Sequence, residues 1–452
     1  MSSIIEPQGS RLRRAALQLA RGDRPLFAMV RSVGTQVLIV LMNMATGIIT
    51  ARLLGPEGRG EYVAITLWPP LLALLATAGL NSAVVFRIRK VPASADAVAG
   101  AALVLALGWS VVLIATGAVL LPLLMKGYSA STVLFAQLCL GAVAVNATQI
   151  VVKQSFAGTG QYWFCNLTHL LPQTFHLLAL VGLMIAVTVT AQGAALALFV
   201  SGAVAVIAVW PKFQRTIQPL LFKLRDAKVR SEIAALRSYS MRAAPSGLVT
   251  AFVTYSDRLV LIPMLSARAL GFYAVAFSFS RVVQFVQPAL QSILLSHMSG
   301  QGESAPRVHD IACRFLIAAL TAACAFLWLA GEWLLGFAYG AEFTAAVHIF
   351  RLLILEASLG VLAQVTVQLY LARDRPGVVS TIQSITLAVS LTLLFTLVPR
   401  YGALGAAIAL LAAGTVRWAL LLGGVRAILK LPLPRPYLNR EDWHYIRSRL
   451  RP

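Results

Sequence analysis

The 452-residue sequence predicts an all-α integral membrane protein, with twelve transmembrane helices in two six-helix lobes related by a parallel repeat. Three observations predict it. The chain is 59% hydrophobic and 12% charged, far from the roughly 25% charged residues of a soluble globular protein. Its basic residues fall mainly in the gaps between long apolar runs, and short motifs recur at a nearly constant offset along the chain.

A hydrocarbon core about 30 Å thick needs about twenty predominantly apolar residues per helix. Runs of that kind fall near residues 32–52, 62–84, 98–121, 131–152, 163–187 and 194–211, and again near 243–264, 272–295, 312–335, 345–371, 378–398 and 403–425. The expected domains are therefore a basic N-terminal arm (1–31), a first lobe (32–211), a basic linker (212–242), a second lobe (243–425) and a basic tail (426–452). Leu220, Leu224, Ile233 and Leu236 give the linker an amphipathic pattern suited to the membrane interface. Pro69, Pro70, Pro172 and Pro288 lie inside spans, where proline kinks a helix.

Charge sets the orientation. With the N-terminus inside, twenty-nine of the 38 lysines and arginines lie on the inner side, and five lie in outer loops: Arg52, Arg59, Lys126, Arg268 and Arg400. That asymmetry places both termini in the cytoplasm. It also accounts for the net charge of +22 without a nucleic-acid partner, which would require a solvated basic domain. No segment of the first thirty residues reads as a cleavable signal peptide.

The halves repeat. Gly60-Glu61-Tyr62-Val63-Ala64 matches Gly271-Phe272-Tyr273-Ala274-Val275 at an offset of 211, and Gly193-Ala194-Ala195-Leu196-Ala197 echoes Gly405-Ala406-Ala407-Ile408-Ala409. An even number of spans per repeat gives both halves the same orientation, with substrate expected at the repeat interface. The same offset lays Pro70 over Arg281.

Chemistry is sparse. No HExxH, P-loop or paired-carboxylate motif is present, Gly158-Thr159-Gly160 lacks the lysine of a phosphate loop, and Cys139, Cys165, Cys313 and Cys324 have no metal-ligand spacing. Metal and cofactor are both expected to be none, and with short outer loops the chain is expected to be a transport protein, not an enzyme.

Four arginines remain inside apolar runs: Arg258, Arg281, Arg351 and Arg417. A charge there costs at least roughly 2.5–3.5 kcal/mol unless it is paired or faces water. Three readings compete. Asp257 and Glu356 could neutralise at most two; snorkelling could rescue Arg258 and Arg351; a water-filled cavity for an anion would explain the surplus, since guanidinium suits phosphate. Asp257, Glu356 and His176 are the candidates for coupling to a proton or sodium ion.

The string Ala51-Arg52-Leu53-Leu54-Gly55-Pro56-Glu57-Gly58-Arg59-Gly60-Glu61-Tyr62 resembles the first outer loop of Wzx-type polysaccharide flippases of the MATE-like (MOP) superfamily. Asp257-Arg258-Leu259, Leu371-Ala372-Arg373-Asp374-Arg375 and Tyr401-Gly402-Ala403-Leu404-Gly405 are similar to the same family. The resemblance covers about residues 32–425. It implies two lobes moving by alternating access in the bacterial inner membrane. The implied substrate is an undecaprenyl-diphosphate-type lipid-linked oligosaccharide for O-antigen or exopolysaccharide synthesis, with polymerase or export machinery as partners. Under it, Arg281 and Arg417 are expected to bind the diphosphate, assisted by Arg258 and Arg351. A MATE-like drug or cation antiporter and a membrane glycosyltransferase or polymerase are the alternatives.

Overall fold

The computed structural model describes residues 25–186, 189–217, 227–286 and 305–431, and these form helices joined by short turns, with no strand among the described residues. The arm before residue 25, the tail after 431, residues 218–226 of the linker and Pro288 lie outside them. The first lobe comprises α1 (Pro25–Thr66), α2 (Trp68–Ala76), α3 (Leu80–Lys90), α4 (Ala95–Leu124), α5 (Ala130–Cys139), α6 (Ala142–Gly158), α7 (Tyr162–Ala186) and α8 (Ala191–Ile217). The second comprises α9 (Ala227–Met264), α10 (Ala267–Ser280), α11 (Ala305–Tyr339), α12 (Val347–Ala372) and α13 (Pro376–Ala427), with 3-10 turns at Arg281–Val286 and Ala341–Ala346.

Two of these helices are hairpins. As a straight rod the 52 residues of α13 would span roughly 78 Å, more than twice a bilayer core. Gly402 breaks it with φ 57 and ψ −136, and a Cβ on Gly405 would lie 2.3 Å from the carbonyl oxygen of Leu397. Those residues would be roughly 12 Å apart along a continuous helix, so the chain doubles back. In α1 the turn is at Gly55, with φ 64. There the Arg59 guanidinium donates to Thr50 Oγ1 at 2.6 Å across nine positions of sequence. Only glycine adopts these left-handed conformations without steric cost.

Eight segments among the described residues are long and apolar enough to cross a bilayer, and they include both hairpins. Counting each hairpin twice leaves two of the twelve expected passes. α9 and the segment beginning at α10 have the position for these, and the latter continues beyond the described residues. The outer surface is that of a membrane protein: Ile185 is 84% and Leu329 81% exposed, a cost a soluble protein avoids in contiguous patches. The fold is all-α, integral to the membrane and multi-pass.

The repeat offset pairs Pro70 with Arg281. Pro69 and Pro70 open α2 immediately after the chain leaves α1 at Leu67, and at the offset position Arg281 ends α10 and begins a 3-10 turn. The first lobe keeps α-helical backbone angles at Leu67 despite the prolines, whereas the second lobe changes to 3-10 geometry at Arg281. The basic 212–242 stretch is partly helix end: α8 runs to Ile217 and α9 starts at Ala227, burying Val229 and Leu236.

Candidate functional site

The lobes meet at both ends of α9, which runs between them for roughly 50 Å from Glu232 to Met264. At one end α1 and α10 touch through backbone: a Cβ on Gly60 would fall 1.7 Å from the Ala267 carbonyl oxygen, and one on Gly271 would fall 1.8 Å from that of Pro56. These are the matched glycines of the repeat, and each packs on the other lobe. Arg52 reinforces the contact, its Nε donating to the Ala338 carbonyl at 2.8 Å and its Nη2 to that of Phe337. At the other end Arg87 of α3 donates from Nε and Nη2 to both carboxylate oxygens of Glu232 of α9 at 2.7–3.0 Å. Phe86 stacks on Tyr239 at 5.4 Å. A few turns further in, α3 and α9 close up at Gly79 and Gly247.

Between these ends lie the ionisable groups. Arg281 of the 3-10 turn pairs with Glu356 of α12 at 2.9 Å. Arg417 of α13 acts on the same carboxylate, and its Nε is buried without a hydrogen-bond partner. One carboxylate thus serves two arginines, and the cluster keeps a positive charge. Asp257 of α9, 5% exposed, accepts from the Tyr273 hydroxyl at 2.8 Å and reaches Arg258 only at 4.0 Å. Arg258 and Arg281 lie 5.0 and 4.1 Å from the same ring, that of Phe277.

The remaining expected site residues are elsewhere. Arg351 donates to the Trp328 carbonyl at 3.2 Å and lies 5.6 Å from its ring, next to the exposed Leu329 and apart from the Arg281 cluster. His176 sits in the first lobe on α7, 3% exposed, bonded to the Ala194 backbone, within reach of the Arg59 charge and with Nε2 unpartnered. The four cysteines form no disulfide, and no cluster of metal-ligating side chains occurs among the described residues.

One arginine departs from the sequence expectation. Arg59, expected in an outer loop, is only 7% exposed. It bonds Thr50, lies 5.0 Å from the Tyr62 ring, and leaves its buried Nε without a partner. Its burial comes from the hairpin at Gly55 and from the second lobe closing over it, neither of which hydropathy reports. The only sequence signal was its position next to the repeated Gly60.

Two duplicated helical lobes with ionisable groups enclosed between and within them define a membrane transporter architecture. The comparisons with known proteins agree. A family model described as polysaccharide biosynthesis protein matches residues 49–348, and the chain belongs to that family. No curated protein matches the sequence. Among solved structures, the chain is similar to lipid II flippase MurJ in an inward closed conformation, with TM-score 0.74 and 12% identity over 88% of this chain and 87% of that one. It is also similar to an inward-facing multidrug resistance MATE family transporter of the MOP superfamily, with TM-score 0.68 and 17% identity over 87% and 96%. A third likeness is to a MOP superfamily transporter from Pyrococcus furiosus described as having a binding pocket of reversed polarity, with TM-score 0.55 and 18% identity over 92% and 98%. At these identities the likeness establishes the fold alone, a MATE-like helical architecture.

Proposed function

We propose that this protein is a flippase that carries a polyprenyl-diphosphate-linked oligosaccharide across the bacterial inner membrane by alternating access, for surface or exported polysaccharide. Both termini are cytoplasmic in this reading, so the Arg87 contact faces the cytoplasm and the Gly60 contact faces out. The observation that carries it is the balance of charge inside the apolar body. Four arginines, Arg59, Arg258, Arg281 and Arg417, stand against two carboxylates there, Asp257 and Glu356. A cation or drug antiporter would need the opposite balance, because a buried surplus of one sign persists only where the opposite sign arrives.

Arg281 and Arg417 bind the diphosphate, and exchange of Glu356 for the incoming phosphates is the step that frees Arg281. Arg258 assists toward the Gly60 end, and Arg351 assists from the surface of the second lobe. Glu356, Asp257 and His176 couple the cycle to a proton or sodium gradient.

Deleting the protein should cause a lipid-linked oligosaccharide to accumulate on the cytoplasmic face; absence of any such intermediate rejects the reading. Replacing Arg417 with Ala should abolish surface polymer at normal membrane abundance, and Lys should restore it only in part, since an ammonium cannot make paired bonds to phosphate.

A further inference from the structure

Arg59 has no place in the cluster around Glu356, and no carboxylate among the described residues pairs with it. It lines instead a cavity of about 210 Å³ at the lobe interface, below the Gly60 contact. The first lobe contributes Arg59, Tyr62 and Thr66; the second contributes Tyr255, Arg258 and Ser278. Two arginines from opposite lobes therefore line one small space, whose other walls are apolar at Val63, Leu67, Pro70, Ala274 and Phe277. Arg59 is more than nine-tenths buried, with an unpartnered nitrogen. Arg258 has only the 4.0 Å approach to Asp257 and the face of Phe277. Two like charges lining one small space repel, and an anion between them would offset that repulsion. The volume is below the roughly 300–1,000 Å³ of pockets that enclose a whole drug-sized ligand, so it suits a phosphate or diphosphate group and not an oligosaccharide.

We infer that Arg59 and Arg258 form a second anion site, distinct from the Arg281–Glu356–Arg417 cluster, that a diphosphate group occupies only while the lobes are closed at the Gly60 end. Gly60 follows Arg59 directly, and its backbone rests on Ala267 of the other lobe. Separating α1 from α10 therefore withdraws Arg59 from Arg258 and dismantles the site. The anion neutralises the repulsion and holds this end shut; opening this end releases the anion. The inference rests on the flippase reading for its physiological ligand, but not for the site itself.

The test uses the full-length protein in nanodiscs and inorganic pyrophosphate as the probe, with binding measured by calorimetry. The wild type should bind in two events, one of which Arg417→Gln leaves intact and Arg59→Gln and Arg258→Gln each weaken at least tenfold, while Arg59→Lys should lose less. Arg400→Gln, which removes one exposed charge, should bind as the wild type does. The control for folding is a monodisperse Arg59→Lys protein that retains measurable binding. The inference is overturned if the wild type does not bind, if Arg59→Gln binds normally, or if Arg400→Gln weakens binding as much as Arg59→Gln. None of these outcomes touches the flippase reading, which is decided separately by accumulation of the lipid-linked intermediate.

Discussion

The two ends of the lobe interface are closed by different physics. At the Gly60 end the seal is mainly shape: helices meet backbone to backbone because two glycines have no side chain, and Arg52 adds hydrogen bonds to helix-terminal carbonyls of the other lobe. At the Arg87 end an ion pair and a stacked ring pair span the lobes in addition to close packing. A shape seal is indifferent to salt and intolerant of a methyl group. A charge seal tolerates volume and fails when one partner is lost. A protein whose lobes must part at alternate ends gains from this difference, because each end can be opened by a distinct event.

The comparison predicts a graded series of effects. The largest should come from Gly60→Val or Gly271→Val, where the new side chain would meet backbone oxygen at less than 2 Å and neither helix can yield. Export of polymer should be abolished at normal abundance, and cysteine crosslinks between α1 and α10 should not form. Normal crosslinking in these variants would show that the contact is not a seal.

Next, Arg87→Ala leaves Glu232 partly buried and alone, a loss of about 3 kcal/mol for the closed Arg87 end. Labelling of a cysteine placed on the α9 face beneath it should rise accordingly. Exchanging the pair, Arg87→Glu with Glu232→Arg, should recover much of the closure. If the exchange recovers nothing, the ion pair is incidental. Smaller still, Phe86→Ala should loosen the same end by about 1 kcal/mol, the worth of a ring pair. Raising the salt concentration should increase labelling at the Arg87 end more than at the Gly60 end, where no ion pair crosses the backbone contact. Equal salt responses at the two ends would erase the distinction drawn here.

Much of the architecture was legible in the chain. Most of the expected spans overlie helices among the described residues, and the matched Gly60 and Gly271 were visible as a motif. What the motif meant was not visible. A glycine in an outer loop and a glycine pressed on another helix's carbonyl read alike until the partner helix is in place.

The charged groups divide in the same way. Composition was enough to find Arg281, Arg417 and Glu356 as charges stranded in apolar sequence, because the cost of placing a charge in hydrocarbon is local. Their pairing was not, since Arg281 and Glu356 meet across different helices. Arg351 was grouped with them by hydropathy, yet it settles on Trp328 at the surface of the second lobe. Arg59 was counted among solvated loop charges and proves to be enclosed by both lobes.

The sequence by itself determined that this chain crosses a membrane many times, in two related halves, with more positive than negative charge held inside. These follow from hydropathy, charge distribution and repetition, all additive along the chain. Only the tertiary structure decided which arginines are neutralised, which end is sealed by shape and which by charge, and that Arg59 and Arg258 face one another across the lobes. Burial and pairing belong to contacts between residues distant in sequence, and those exist only once the two halves have closed on each other.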